Sequence, residues 1–365
     1  MILYLVGMVC LIFLSVLGVA YLVGKVGKLD WIRRLSGGKA WKNRSISAGL
    51  LLGLLTLFSA WLSLLDAAVI LLHSLLFLLI FDLLSRGIKQ KQAGTSKQNQ
   101  YGWLALAATS VYLILGYYQC IHVYKTEYKL NTKKVIETLR IAILSDSHIG
   151  VSFDGAGFAS HIHTIMQEQP DLILIPGDYV DDDTRREDML TACRALGEAA
   201  PKYGVWFAYG NHDKGYFNSR DFSAADLAQA LEENGVHILE DEAVQIGTLC
   251  IVGRRDASSR SRRTLSELLE DVPDECYIIV MDHQPTDYEN EAATKADLVV
   301  SGHTHGGQMI PLNWIGELFG ENDRTYGHEQ RNGTDFVVTS GISDWVVHFK
   351  TGTCSEYVIL TVAGS

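Results

Sequence analysis

Positive charge is what this chain lacks past residue 140: from residue 141 onward 15 Lys and Arg stand against 37 Asp and Glu. Affinity for polynucleotide backbones comes largely from Lys and Arg neutralising phosphates. A half this acidic therefore argues against nucleic acid as a partner and favours small substrates or membrane lipids. The six cysteines include no CxxC or other metal-ligand spacing. They read as small apolar side chains, with a Cys250–Cys354 bridge left open for a domain outside the cell. Ile2–Gly24 contains no charge, and no basic residue precedes it. A cleaved signal peptide needs that basic flank, so it is excluded.

Long apolar runs fill the first third of the chain. Four segments, 2–24, 46–65, 67–84 and 103–124, each approach the roughly 20 residues that cross a bilayer core. The second and third are parted only by Asp66 and read as a hairpin. The first loop carries Lys25, Lys28, Arg33, Arg34, Lys39, Lys42 and Arg44 against Asp30 alone, and the third Arg86, Lys89, Lys91 and Lys97 with no acid. Basic loops stay in the cytoplasm, which puts the C-terminal domain on the extracytoplasmic face of the cell membrane. Lys125, Lys129, Lys133 and Lys134 pull the other way, unless they lie against anionic headgroups. Of the polar residues at membrane depth, Asp66 and Asp82 fall near helix ends and should reach the interface. His73 is mid-span and suits a helix-to-helix hydrogen bond. The expected organisation is a transmembrane anchor over 1–124, a linker over 125–139, and a folded domain over 140–365.

In that domain apolar runs alternate with amphipathic ones. Strands are expected at 140–144, 171–175, 204–209, 276–281 and 297–300, with helices at 156–169, 187–200, 224–234 and 264–270. Shorter strands fall near 237–239, 244–245 and 249–252. The stretches 335–339, 346–349 and 357–362 are also β-rich, which adds a second sheet. Strands with helical crossovers make an α/β fold, whose sites collect at the carboxyl ends of the strands.

Five motifs occupy those ends: Asp146-Ser147-His148, Gly177-Asp178, Gly210-Asn211-His212-Asp213, His283, and Gly302-His303-Thr304-His305. Any one is weak; five in order resemble the calcineurin-like metallophosphoesterase superfamily over about residues 138–362. The Gly306-Gly307-Gln308 tail resembles its membrane-associated bacterial branch. The resemblance implies a two-sheet α/β sandwich of the metallophosphoesterase type, preceded here by an all-α transmembrane region of about four helices. It also implies hydrolysis of a phosphate mono- or diester, a lipid-linked phosphate being one candidate, by attack of a metal-bridging hydroxide. Asp146, His148 and His305 would bind one divalent ion and Asn211, His283 and His303 a second, with Asp178 bridging. Mixed imidazole and carboxylate donors suit Mn, Fe or Zn. Two such ions roughly 3.5–4 Å apart offset the repulsion between a phosphate and an anionic nucleophile. His212 would stabilise or protonate the reacting phosphate, and Asp213 would hold its ring. Other readings are a catalytically silent metal-binding scaffold or sensor and a tethered phosphatase for soluble substrates.

Outside the motifs, His161, His163, His237, His328 and His348 read as ordinary core or surface residues. Asp181, Asp182 and Asp183 read as a solvated acidic turn, with Asp181 a candidate support for the site. Arg254, Arg255, Arg260, Arg262 and Arg263 are a basic run suited either to gripping a lipid phosphate or to a solvated loop. Substituting them with alanine would then raise KM for an anionic lipid. Trp314, Phe319 and Trp345 are placed to wall a pocket, although core packing is the commoner fate of such aromatics.

Overall fold

A computed structural model describes residues 16–89, 98–217, 219–310 and 312–364, which divide near residue 115 into two compact units. The first is helical. It comprises α1 (Val16–Val26), α2 (Asp30–Leu35), α3 (Ala40–Trp61) and α4 (Leu64–Lys89), and α5 (Gln98–Ile121) begins within it. Ala40–Ala60, Leu64–Ser85 and Tyr101–Ile121 are long and apolar enough to cross a membrane. At roughly 1.5 Å per residue each spans about 30 Å. Most of the expected first span, 2–15, lies outside the described residues. The α3–α4 hairpin turns where Ser63 Oγ accepts from Asp66 N at 2.9 Å, a local cap that starts α4. Asp82 is paired within the helical unit. Lys25 neutralises it and the Tyr21 hydroxyl donates to it. His73 bonds to the Val69 carbonyl of its own helix at 2.8 Å, and its ring stacks on Tyr112 of α5. Its Nδ1 is thus used within α4, while the ring face meets α5.

The second unit carries two six-stranded sheets. The first has the order β1-β12-β2-β3-β4-β5: Tyr124–Asn131, Glu356–Ala363, Leu139–Ile143, Leu172–Ile175, Val205–Ala208 and Val236–Leu239. The second has β10-β11-β9-β8-β7-β6: Gly327–Arg331, Thr334–Val338, Leu298–Ser301, Tyr277–Met281, Leu249–Gly253 and Glu242–Ile246. Strands β2 to β5 run parallel, as do β7, β8 and β9. Their carboxyl ends therefore share one edge in each sheet.

Alternation along the strands builds the core. Ile141, Ile143, Leu172 and Leu174 meet Ile251, Ile279, Leu298 and Val300 of the other sheet. Ala142, Leu144, Ile173 and Ile175 face Phe158, Ile162, Leu196 and Leu227. Those last four come from α6 (Gly155–Met166), α7 (Arg186–Ala199) and α8 (Ala224–Glu233). Burial on both faces explains why these strands read as unbroken apolar runs. Outside the second sheet lie α9 (Leu265–Leu268) and α10 (Tyr288–Glu291).

Two sequence expectations differ, and one alternative left open is closed. The segment read as the start of a linker is strand β1, parallel to β12 from Tyr124 opposite Glu356 to Asn131 opposite Ala363. Its solvent face carries Lys125, Glu127 and Lys129, so charge masks the period-two pattern; Leu130 is buried. Lys125 pairs with Glu127 and Glu168, and Lys134 with Asp297. The stretch 346–349 is not a strand, since the carbonyls of Val347 and Phe349 accept from the Gln308 side chain instead. Finally, Cys250 and Cys354 are free thiols, as are Cys120, Cys193 and Cys276.

Candidate metal centre

Each motif begins where a buried strand stops. Asp146 to His148 follow β2, Asp178 follows β3, Asn211 to Asp213 follow β4, His283 follows β8, and His303 to His305 follow β9. The turns are tight enough to force unusual backbone. Asp146, His148, Asp178, His303 and His305 all have φ between 35° and 68°, the left-handed region that L-residues other than glycine seldom occupy. Such conformations persist only where the surroundings over-determine them, and they gather at functional sites. Glycine is required beside them. A Cβ on Gly210 would lie 2.2 Å from Asp178 Oδ1, and one on Gly302 2.3 Å from Asp146 Oδ2.

The turns bring all seven expected ligand residues together. Asp146, His148 and His305 form one group whose donor atoms lie within 4.8 Å of one another, and Asp178, His283 and His303 form another. Asn211 joins the second, its Oδ1 3.1 Å from His283 Nε2. Asp178 touches both groups: Oδ2 lies 3.0 Å from His283 Nε2 and 3.7 Å from His148 Nε2. Its other oxygen accepts from the His212 backbone N–H at 2.9 Å.

The outer contacts aim the lone pairs inward. The Nδ1 of His148 pairs with Asp181 Oδ2 at 3.0 Å, and that of His283 with the Pro176 carbonyl at 2.8 Å. Each pairing fixes the ring so that Nε2 points at the centre. His148 Nε2 and Asp146 Oδ2 are buried without a hydrogen-bond partner. Buried polar atoms are normally paired, and a cation is the partner these two suit.

The charges respond to this crowding. Burial pushes the Asp178 carboxyl up, but His283, His148 and His212 together hold it well below the usual carboxylate range. Burial opposes a proton on His283, yet Asp178, with Asp146 and Asp256 behind it, pushes that imidazole up to about 10. His303 goes the other way, down to about 4, through burial and the charge of His283. Burial, with His148 and Lys350 adding to it, lowers His305 well below its ordinary value.

The role expected of Asp213 is filled by another residue. Both Asp213 oxygens are taken by backbone N–H groups, those of Asp178, Tyr179, Val180 and Gly210, at 2.7–3.1 Å. It staples the β3 and β4 turns together, and burial beside Asp178 raises its carboxyl to about 6. The His212 ring is held by Asp181, whose Oδ1 lies 3.1 Å from Nδ1. Asp181 thus orients His148 and His212 at once. Among three consecutive aspartates, its only sequence mark is Thr184, whose hydroxyl accepts the Asp181 N–H and locks the turn.

The basic run is mostly turned inward. Arg254 is buried against Asp282, Asp287 and Glu291 at 2.8–3.0 Å, and Arg262 also contacts Asp282. Arg255 pairs with Glu240. These partners lie up to 37 residues away along the chain, so the sequence offered no sign of them. Carboxylates already hold Arg254 and Arg262, so substituting either should leave KM for an anionic lipid unchanged. Two buried groups outside the motifs reinforce the centre instead. Lys350 pairs with Asp344 at 3.0 Å, and that carboxylate lies 3.8 Å from His305 Nδ1.

Residues 139–307 match the family model described as calcineurin-like phosphoesterase. A transmembrane protein with metallophosphoesterase domain from Danio rerio is 28% identical over 71% of this chain and 64% of its own length. An uncharacterized metallophosphoesterase of Aquifex aeolicus is 29% identical over 69% of this chain and 97% of its own. The chain thus spans less than two thirds of the first of these relatives. Among solved structures, a dimetal phosphatase from Danio rerio overlaps 62% of this chain and 94% of that one, at 12% identity and a TM-score of 0.36.

Proposed function

We propose, from the match of residues 139–307 to the calcineurin-like phosphoesterase model, that this chain is a membrane-anchored hydrolase of phosphate mono- or diesters, dependent on two divalent ions. One observation carries the reading: two oxygen-and-imidazole groups share Asp178, and each turns buried lone pairs toward the same space. Asp146, His148 and His305 would hold one ion; Asn211, His283 and His303 the other; Asp178 both. Bound ions of this kind neutralise phosphoryl oxygens and lower the pKa of a bound water. Mn, Fe and Zn all suit the donor set.

The chain's own residues do the rest. Asp181 holds Nδ1 of His212, which leaves Nε2 directed away from it and able to give a proton to the leaving oxygen. Asp213 keeps the Asp178 turn in register through four backbone bonds, and so acts on geometry. Tyr216 and Trp345 lie against the His212 ring, with centroids 4.9 and 5.3 Å away, and flank it. The basic loops 25–44 and 86–97 support an extracytoplasmic site.

Full-length protein in detergent, loaded with Mn, is expected to hydrolyse p-nitrophenyl phosphate or its bis ester. Full metal occupancy without turnover on either ester would favour the silent-scaffold reading. Asp181→Asn should lower activity by about 10–100-fold, as loss of an outer carboxylate does at His-ligated metals. It should weaken metal binding as well, since the amide presents a donor to one of two rings. Unchanged metal affinity would place Asp181 with His212 alone.

Metal loading should also release protons. His283 sits at about 10 without metal, so it carries a proton at pH 8 that a cation must displace. Apparent affinity therefore rises with pH up to about 10 and falls below it, while His303 and His305, already neutral, contribute none. Calorimetry at pH 8 in two buffers of different ionisation enthalpy reads the proton count. A count of zero removes His283 from the ligand set.

A further inference from the structure

The surface beside the centre is apolar where a soluble domain would be polar. Helix α11 (Ile315–Phe319) follows the His303–His305 turn and buries none of its residues. Leu318 is 77% exposed, Phe319 70% and Trp314 62%. The helix is tied to the site through Glu317, which accepts from Thr325 N; Thr304 in turn donates to the Thr325 carbonyl. Across the mouth stand Phe217, 75% exposed and next to Tyr216, and Trp345, 47% exposed and against His212. Exposed apolar groups gathered like this mark a binding surface.

The register of the first sheet says what lies next to it. Tyr124, the first residue of β1, is opposite Glu356, and Val358 is opposite Ile143, three residues before Asp146. The chain thus enters β1 at the edge of the sheet that carries the ligands. It arrives there from α5, whose apolar span ends at Ile121. The last turns of α5 pack into this same unit. Gly116 O accepts from Lys350 N, and Cys120 O from Ser355 Oγ. Tyr117 meets Phe349 with rings 6.3 Å apart, and Gln308 binds the carbonyls of Val347 and Phe349. The loop 344–351 therefore joins the end of a membrane-length helix to the rim of the site.

We propose that this rim rests in the interfacial zone of the bilayer that α5 enters, and that the site accepts a phosphate ester held in that bilayer. The second part rests on the hydrolase reading. Trp and Tyr side chains settle at the headgroup level, and an apolar helix face buries in the acyl boundary. No Lys or Arg lies between His303 and Asp323. Docking is thus apolar, needs no anionic lipid, and persists in salt, which screens only charge. A phosphate in the mouth would then sit at headgroup depth, with its apolar chains along α11.

The test uses the full-length chain in phosphatidylcholine vesicles, with Phe319→Cys carrying an environment-sensitive fluorophore and the signal of the unaltered chain subtracted. Lys202→Cys is the control, because Lys202 precedes β4 at the opposite edge of the sheet. Quenching of the 319 label, and not the 202 label, by lipids spin-labelled near the headgroup is the expected result, unchanged at high salt. A 319 label open to water, or shielded from water yet unreached by the lipid quencher, overturns the proposal; the latter means that protein covers the rim. Phosphate release from phosphatidic acid in the same vesicles is compared with release from glycerol phosphate. Faster release from the lipid is expected, and faster release from glycerol phosphate overturns the substrate assignment. p-Nitrophenyl phosphate and its bis ester, assayed alongside, separate the two readings: turnover of neither counts against the hydrolase and leaves the depth result standing.

Discussion

Asp178→Asn in the full-length chain should lower ester hydrolysis by at least about 10³-fold, well beyond the roughly 10–100-fold cost of losing an outer-shell partner. The reason is local. One Asp178 oxygen faces His283 and His148 at 3.0 and 3.7 Å, and the other accepts a hydrogen bond from His212 N. Its carboxylate thus meets an imidazole of each ligand group. An amide there keeps the shape but removes the negative charge, and turns one of the two oxygens into a donor. Two cations held close together need that charge between them. Metal analysis should find one ion where the unaltered chain binds two, with melting temperature little changed. Retention of both ions and of activity would show that the groups do not share a bridge.

The largest loss of stability should come from Lys350→Met. Lys350 and Asp344 are both fully buried, and the ammonium also donates to the Ser340 carbonyl at 2.8 Å. Removing one partner of a buried pair leaves the other charged in a medium that cannot solvate it, at a cost of about 3–5 kcal/mol. Here the stranded group is a buried carboxylate left with only the Cys120 thiol and the His305 ring beside it. In a domain of this size the melting temperature should fall by on the order of 10 °C. Lys350→Met with Asp344→Asn should recover much of that, since it removes both charges. Equal losses in the single and double variants would mean that packing, and not charge, makes Lys350 matter.

The centre was legible in the sequence because its chemistry is local. Each expected ligand lies within a few residues of the end of an apolar run, so motif and strand predict one another. Legibility fails where a partner is distant. Asp181 looks like its two neighbours until His148 and His212 are seen to meet on it. Asp213 follows His212 in the chain, yet a turn sends its carboxylate back to the β3 end. The basic run suggested a phosphate grip until Asp282, Asp287 and Glu291 closed on Arg254. Strand β1 was hidden differently, since an edge strand with a charged outer face resembles a solvated linker.

Five left-handed residues crowd into one centre, and this has a practical consequence. Each is a conformation that glycine would adopt more readily, at a saving of about 1 kcal/mol or more. A directed-evolution campaign scored on heat resistance alone would therefore drift toward glycine at His303, whose neutral ring strands no charge when lost, and keep Asp178, whose loss would strand His283. The survivors would be hardy and inert, as expected wherever activity depends on a strained site. Screens of this protein must score turnover in every round.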